Sequence, residues 1–154
     1  MASQEGHLEI VRLLIEAGGN VNAEDNDKVT PLIMASSKGH LEITRLLIEA
    51  GANVNAENND KKTPLMMASF GGHLEIARLL IEAGGNVNAE RNDKMTPLLM
   101  ASFGGHRDVA RLLIEAGGNV NAERNDKMTP LLMASFGGHR DVARLLIEAG
   151  ARRH

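Results

Sequence analysis

The sequence predicts an all-α solenoid of stacked helix-turn-helix pairs joined by short hairpin or turn connections. Three observations carry this: a 33-residue period, helix start and stop residues at fixed offsets in every period, and apolar runs too wide for a lone helix to keep in water. Thr-Pro-Leu begins at Thr30, Thr63, Thr96 and Thr129. Gly-His recurs in step at Gly6-His7, Gly39-His40, Gly72-His73, Gly105-His106 and Gly138-His139, and Val-Asn-Ala at Val21, Val54, Val87 and Val120.

One period, starting at Asn26, translates residue by residue. The Thr30 hydroxyl can accept from free backbone N–H groups at a helix start, and Pro31 at the first helical position sacrifices no hydrogen bond. A short helix follows through Leu32, Met34 and Ala35. Gly39 is placed to end it in the left-handed conformation, and His40-Leu41-Glu42 opens a second helix. That helix carries Leu41, Ile43, Leu46, Leu47, Ile48 and Ala50 around most of its girth, so it needs helices on either side. Glu42, Arg45 and Glu49 are three and four residues apart on the remaining stripe, which reads as a solvated face with modest ion pairs. Gly51 stops the second helix, and the polar segment containing Asn-Asp-Lys reads as a sideways turn or hairpin.

Composition fits a folded chain and narrows its chemistry. Of 154 residues, 43% are hydrophobic and 24% charged, outside the disordered range. With no Trp, no Tyr and three Phe, the core must be aliphatic. A net charge of −3 gives no field that points to nucleic acid or an anionic membrane. Absence of Cys excludes disulfides, thiolate nucleophiles and cysteine zinc sites. No apolar run reaches membrane-span length and no targeting signal is recognisable, so a cytoplasmic or recombinant setting is expected.

The string Thr-Pro-Leu-x-Met-Ala-Ser-x-x-Gly-His-Leu-Glu-Ile-x-Arg-Leu-Leu-Ile-Glu-Ala-Gly-x-Asn-Val-Asn-Ala, present four times with conservative variation, resembles the ankyrin repeat. The resemblance covers essentially the whole chain. It implies a single ankyrin-repeat domain over 1–154: a partial first repeat over 1–25, repeats over about 26–58, 59–91 and 92–124, and a last repeat over 125–154. It also implies a curved stack of antiparallel helix pairs whose hairpin tips and first helices form a concave surface, and a protein partner bound there.

Two departures from the family pattern stand out. Where the family has His after Thr-Pro-Leu, this chain has Ile33, Met66, Leu99 and Leu132, exchanging a polar link for apolar contact. Where the family prefers Gly at the hairpin tip, it has Lys28, Lys61, Lys94 and Lys127; a positive φ there costs on the order of 1 kcal/mol each relative to glycine.

The ends and the regularity raise further expectations. Met1-Ala2-Ser3 aligns with Met34-Ala35-Ser36, which predicts a frayed first helix. The last second helix, Asp141 to Ala149, keeps interior-type apolar residues and is followed by Gly150-Ala151-Arg152-Arg153-His154. Neither end has a polar capping repeat, so end-to-end self-association is expected, against the alternative of a soluble monomer. Residues Glu90 to Gly117 and Glu123 to Gly150 are the same 28-residue string, which favours an engineered, consensus-like or reconstructed sequence, although recent duplication would leave the same trace.

No catalytic, cofactor-binding or metal-binding residue is assigned, and the chain is not expected to be an enzyme. His7, His40, His73, His106 and His139 recur once per repeat, about 10 Å apart in packed helices, too far to share an ion held at about 2 Å. The plainer reading is that each helps open a second helix by bonding nearby backbone. Asp27, Asp60, Asp93 and Asp126 sit beside the tip lysines on a solvated edge, where carboxylates are expected to titrate ordinarily. No phosphate loop, nucleophile elbow or Ser/His/Asp set can be assembled. Anion or nucleic-acid binding by the four tip lysines with Arg91 and Arg124 is weakened by the acidic neighbours.

The candidate partner-binding residues form two columns that the resemblance assigns to the recognition side. Phe70, Phe103 and Phe136, with Ser37 at the same position earlier, lie near the end of each first helix. Val29, Lys62, Met95 and Met128 lie close to the tips. Exposed, the Phe and Met residues would form an apolar ladder with adaptable contact area. Alternatively, each Phe packs on a neighbouring repeat's glycine and closes the core.

Overall fold

A computed structural model describes residues 12–13 and 18–151. Expectations about Met1-Ala2-Ser3, His7 and the terminal Arg152-Arg153-His154 lie outside the described residues. Beyond helical residues 12 and 13, eight helices run in order: α1 Pro31–Lys38, α2 Leu41–Glu49, α3 Pro64–Gly71, α4 Leu74–Glu82, α5 Pro97–Gly104, α6 Arg107–Glu115, α7 Pro130–Phe136 and α8 Arg140–Glu148. No strand occurs among the described residues.

Local chemistry sets each boundary. The hydroxyls of Thr30, Thr63, Thr96 and Thr129 accept from the backbone N–H groups of Ile33, Met66, Leu99 and Leu132 at 3.2–3.3 Å. Each such cap is worth about 1 kcal/mol. Gly39, Gly72 and Gly105 close the first three of these helices at φ 72–75°, and the following His N–H reaches back to Ala35, Ala68 or Ala101 at 2.9–3.0 Å. The second helices carry the anticipated exposed pairs, Arg45–Glu42 at 3.8 Å and Arg78–Glu75 at 3.9 Å, which contribute little in water.

The helices stack in two rows. First helices α1, α3, α5 and α7 pack in one row, second helices α2, α4, α6 and α8 in the other, and each first helix packs on its own second helix. Between the rows runs a continuous aliphatic core in which Leu65, Leu80, Leu98, Leu113 and Leu146 are essentially inaccessible. Burying one such leucine contributes about 1.5–3 kcal/mol. A second cluster, Met66, Met95, Leu99, Met100, Ala122 and Met133, joins the first helices to the connections. The apolar residues after Thr-Pro-Leu thus do replace a polar link with packing: Ile33, Met66 and Leu99 are buried, and Leu132 is half-buried.

Three polar ladders also cross the repeat boundaries. The side chain of Asn55 accepts from Asn86 N–H at 2.8 Å and donates to Gly84 O at 3.1 Å, and Asn88 repeats the clamp on Asn119 and Gly117. At the tips, the N–H groups of Asn59, Asn92 and Asn125 donate to the carbonyls of Asp27, Asp60 and Asp93.

The histidines form the third ladder, and here the structure corrects the sequence reading. His40, His73, His106 and His139 stand at the helix starts but make no side-chain cap. Instead, Nε2 of His106 donates to Phe70 O at 2.9 Å and Nε2 of His139 to Phe103 O at 3.2 Å. The His106 ring lies between two glycines: a Cβ on Gly72 would meet it at 2.6 Å and one on Gly104 at 2.6 Å. The glycines adjoin histidine rings, not the phenylalanines.

Candidate functional site

Each connection between helix pairs tightens into a small hairpin. Lys94 N–H donates to Arg91 O at 2.8 Å and Arg91 N–H to Met95 O at 2.9 Å, with Lys94 at φ 69° between them. A turn followed by one left-handed residue is the usual three-residue hairpin loop. Lys28, Lys61, Lys94 and Lys127 all hold φ 64–69°, so the tips keep the geometry that glycine would suit and carry the strain of a Cβ.

The acceptor that stabilises the loop changes along the chain. In the first two hairpins the carboxylate of Asp25 and the amide oxygen of Asn58 accept two backbone N–H groups each, at 2.8–3.0 Å. In the next two that position is arginine, and the aspartate two residues on takes over. Arg91 grips Asp93 through Nε at 2.9 Å and Nη2 at 2.6 Å, while Asp93 also accepts Met95 N–H at 3.2 Å. Arg124 and Asp126 repeat the arrangement. These carboxylates are therefore not ordinary, contrary to the sequence expectation. The Arg91 hydrogen bond, opposed by partial burial and helped by Met95 N–H, lowers Asp93 to a pKa of about 2. Arg124 lowers Asp126 in the same way.

The phenylalanine column is open to solvent. Phe70 and Phe103 are 55% and 56% exposed and Phe136 75%, so closing the core is not their role. Phe70 and Phe103 stack with ring centroids 6.4 Å apart and planes 11° from parallel. Two adjoining hollows of about 300 and 310 Å³ lie beside them. Phe70 and Phe103 wall the first over Met67, Met95 and Met100, with Lys62, Arg91 and Arg124 around it. Phe103 and Phe136 wall the second over Met128 and Met133, beside Arg124.

The expected site residues divide accordingly. Lys62, Phe70, Met95, Phe103, Met128 and Phe136 line the hollows. Met95 is only 5% exposed, so it is floor and not a rung of an exposed ladder, because its side chain joins the methionine cluster. Val29 is half-buried and Ser37 exposed, and neither lines either of these two hollows. Sequence reasoning missed Met67, Met100 and Met133, and the signal for them was present: each stands three residues before a Phe, on the same helix face. Arg91 and Arg124 were weighed only as anion binders.

Neither hollow is lined by a carboxylate or a hydroxyl, and no group of three His, Asp or Glu that could hold a metal occurs among the described residues. Nor is any described helix long and apolar enough to cross a membrane. What the face offers is apolar contact framed by fixed cations. A stack of capped helix pairs of this kind defines a helical-repeat solenoid. Residues 1–91 and 84–153 match the family model for ankyrin repeats in three copies, and the chain belongs to the ankyrin-repeat family. Members of this family are generally protein-interaction modules. No match was found among curated proteins.

Proposed function

We infer that the chain is a non-catalytic protein-interaction module that takes its partner on the concave face, against the phenylalanine column and the two hollows beside it. The observation that carries this is the exposure of Phe70, Phe103 and Phe136, all at one repeat position, over a methionine floor. Contiguous exposed apolar surface marks interaction sites, and methionine beside it adapts its shape to what it meets. The test is a pull-down with the intact chain and with a Phe103→Ala, Phe136→Ala double variant. Loss of a partner's capture by the variant supports the reading, and equal capture removes the column from the site.

A second reading, an engineered or consensus scaffold with no natural ligand, is favoured by the identity of residues 90–117 and 123–150. Recovery of no partner by the intact chain would favour it. Self-association belongs to the same proposal: Leu132 is half-buried where its counterpart Leu99 is fully buried. A mass that stays at the 16.6 kDa of a single chain across a dilution series in light scattering discards it.

A further inference from the structure

We propose that the paired hollows take a partner segment carrying bulky apolar side chains beside carboxylates, so that the preferred ligand is an acidic, amphipathic peptide. This rests on the interaction-module reading and adds the chemistry of the partner to it.

The argument is one of complementarity in charge and hydration. The first hollow has three cations on its lining, Lys62, Arg91 and Arg124, and no anion. Asp93 and Asp126 engage the two guanidinium groups through Nε and Nη2 and do not themselves line either hollow. A guanidinium has five N–H donors, so each arginine keeps three beyond its aspartate. The aspartates also hold the guanidinium planes in place, which lowers the ordering cost of a further bond. Lys62 forms no ion pair among the described residues.

A purely apolar occupant would strip water from these donors and return nothing for it. A basic occupant would meet like charge. An occupant with carboxylates beside its apolar side chains replaces the lost water with charge-assisted hydrogen bonds, which are about twice as strong as neutral ones. Its apolar side chains meanwhile cover the Phe and Met surface.

The experiment is fluorescence anisotropy with three labelled peptides in which Phe and Leu alternate with Glu, with Gln or with Lys. Each is titrated with the intact chain, with Lys62→Gln and with Phe103→Ala, whose folding is checked by circular dichroism. The Glu peptide is expected to bind about tenfold more tightly than the Gln peptide, a margin of one charge-assisted contact. That margin should shrink in Lys62→Gln and with added salt, whereas Phe103→Ala should weaken both peptides alike. Equal binding of the Glu and Gln peptides, or tighter binding of the Lys peptide, overturns the acidic preference and leaves the apolar docking face intact. Binding of no peptide overturns both. A Glu-peptide isotherm that climbs more shallowly than a single-site curve, or levels off short of saturation, as the chain's own concentration rises would assign the hollows to a second copy and overturn the proposal.

Discussion

His106 Nε2 lies 2.9 Å from the carbonyl oxygen of Phe70, a residue 36 positions earlier whose ring faces solvent. The carbonyl can only accept, so Nε2 carries the hydrogen; the tautomer follows from the partner. One contact thereby ties the start of a second helix to the end of the preceding repeat's first helix, directly behind the phenylalanine column. His106→Ala removes this bond and the ring packed between Gly72 and Gly104. The expected loss is about 1–3 kcal/mol, read as a lower urea midpoint. An unchanged midpoint would show that the contact contributes nothing.

Ser36, Ser69 and Ser102 are fully buried in the first helices, and their hydroxyls have no hydrogen-bond partner among the described residues. A buried hydroxyl left unsatisfied costs about 1–3 kcal/mol, while alanine suits a helix interior better. Ser102→Ala should therefore raise stability by about 1 kcal/mol or more in chemical denaturation. A fall would reveal a partner for the hydroxyl.

The four tip lysines hold a backbone conformation that asparagine tolerates better than lysine. Lys94→Asn is expected to stabilise by about 0.5–1 kcal/mol. Lys94→Gly should gain at least as much, because relief of the positive-φ strain outweighs the looser unfolded chain. Melting curves in which neither variant gains would contradict this account.

Asp93 is held at a pKa of about 2 in the folded chain, below the roughly 3.9 of an unfolded aspartate. Its contribution is therefore present above pH of about 4 and is lost as pH falls toward about 2. Asp93→Asn keeps an oxygen for Met95 N–H but removes the charge. Stability plotted against pH should fall less steeply for this variant than for the intact chain between about pH 4 and 2. Parallel curves would remove Asp93 from acid unfolding.

Much of the fold was legible because its signals act within a few residues. Thr96 caps the helix that begins at the very next residue, Gly105 ends it, and the apolar residues of α6 can be counted along one turn after another. The strain at Lys94 was only half readable: the resemblance marks a glycine position there, which leaves either a strained tip or a shifted turn, and the positive φ shows the strained tip. The candidate site was legible in outline: the phenylalanines stood in one column and methionines near them.

What the sequence by itself determined is thus the repeat, its helices, its stops and the residues that share a face, because each depends on backbone preference and periodicity alone. Only the tertiary structure decided which residues meet across a repeat boundary. The bond from His106 to Phe70, the Asn88 clamp on Gly117 and Asn119 and the sinking of Met95 beneath an exposed Phe103 all depend on how one helix pair lands on the next. Stacking supplies the offset that brings such partners within bonding distance, and no pattern internal to one repeat contains that offset.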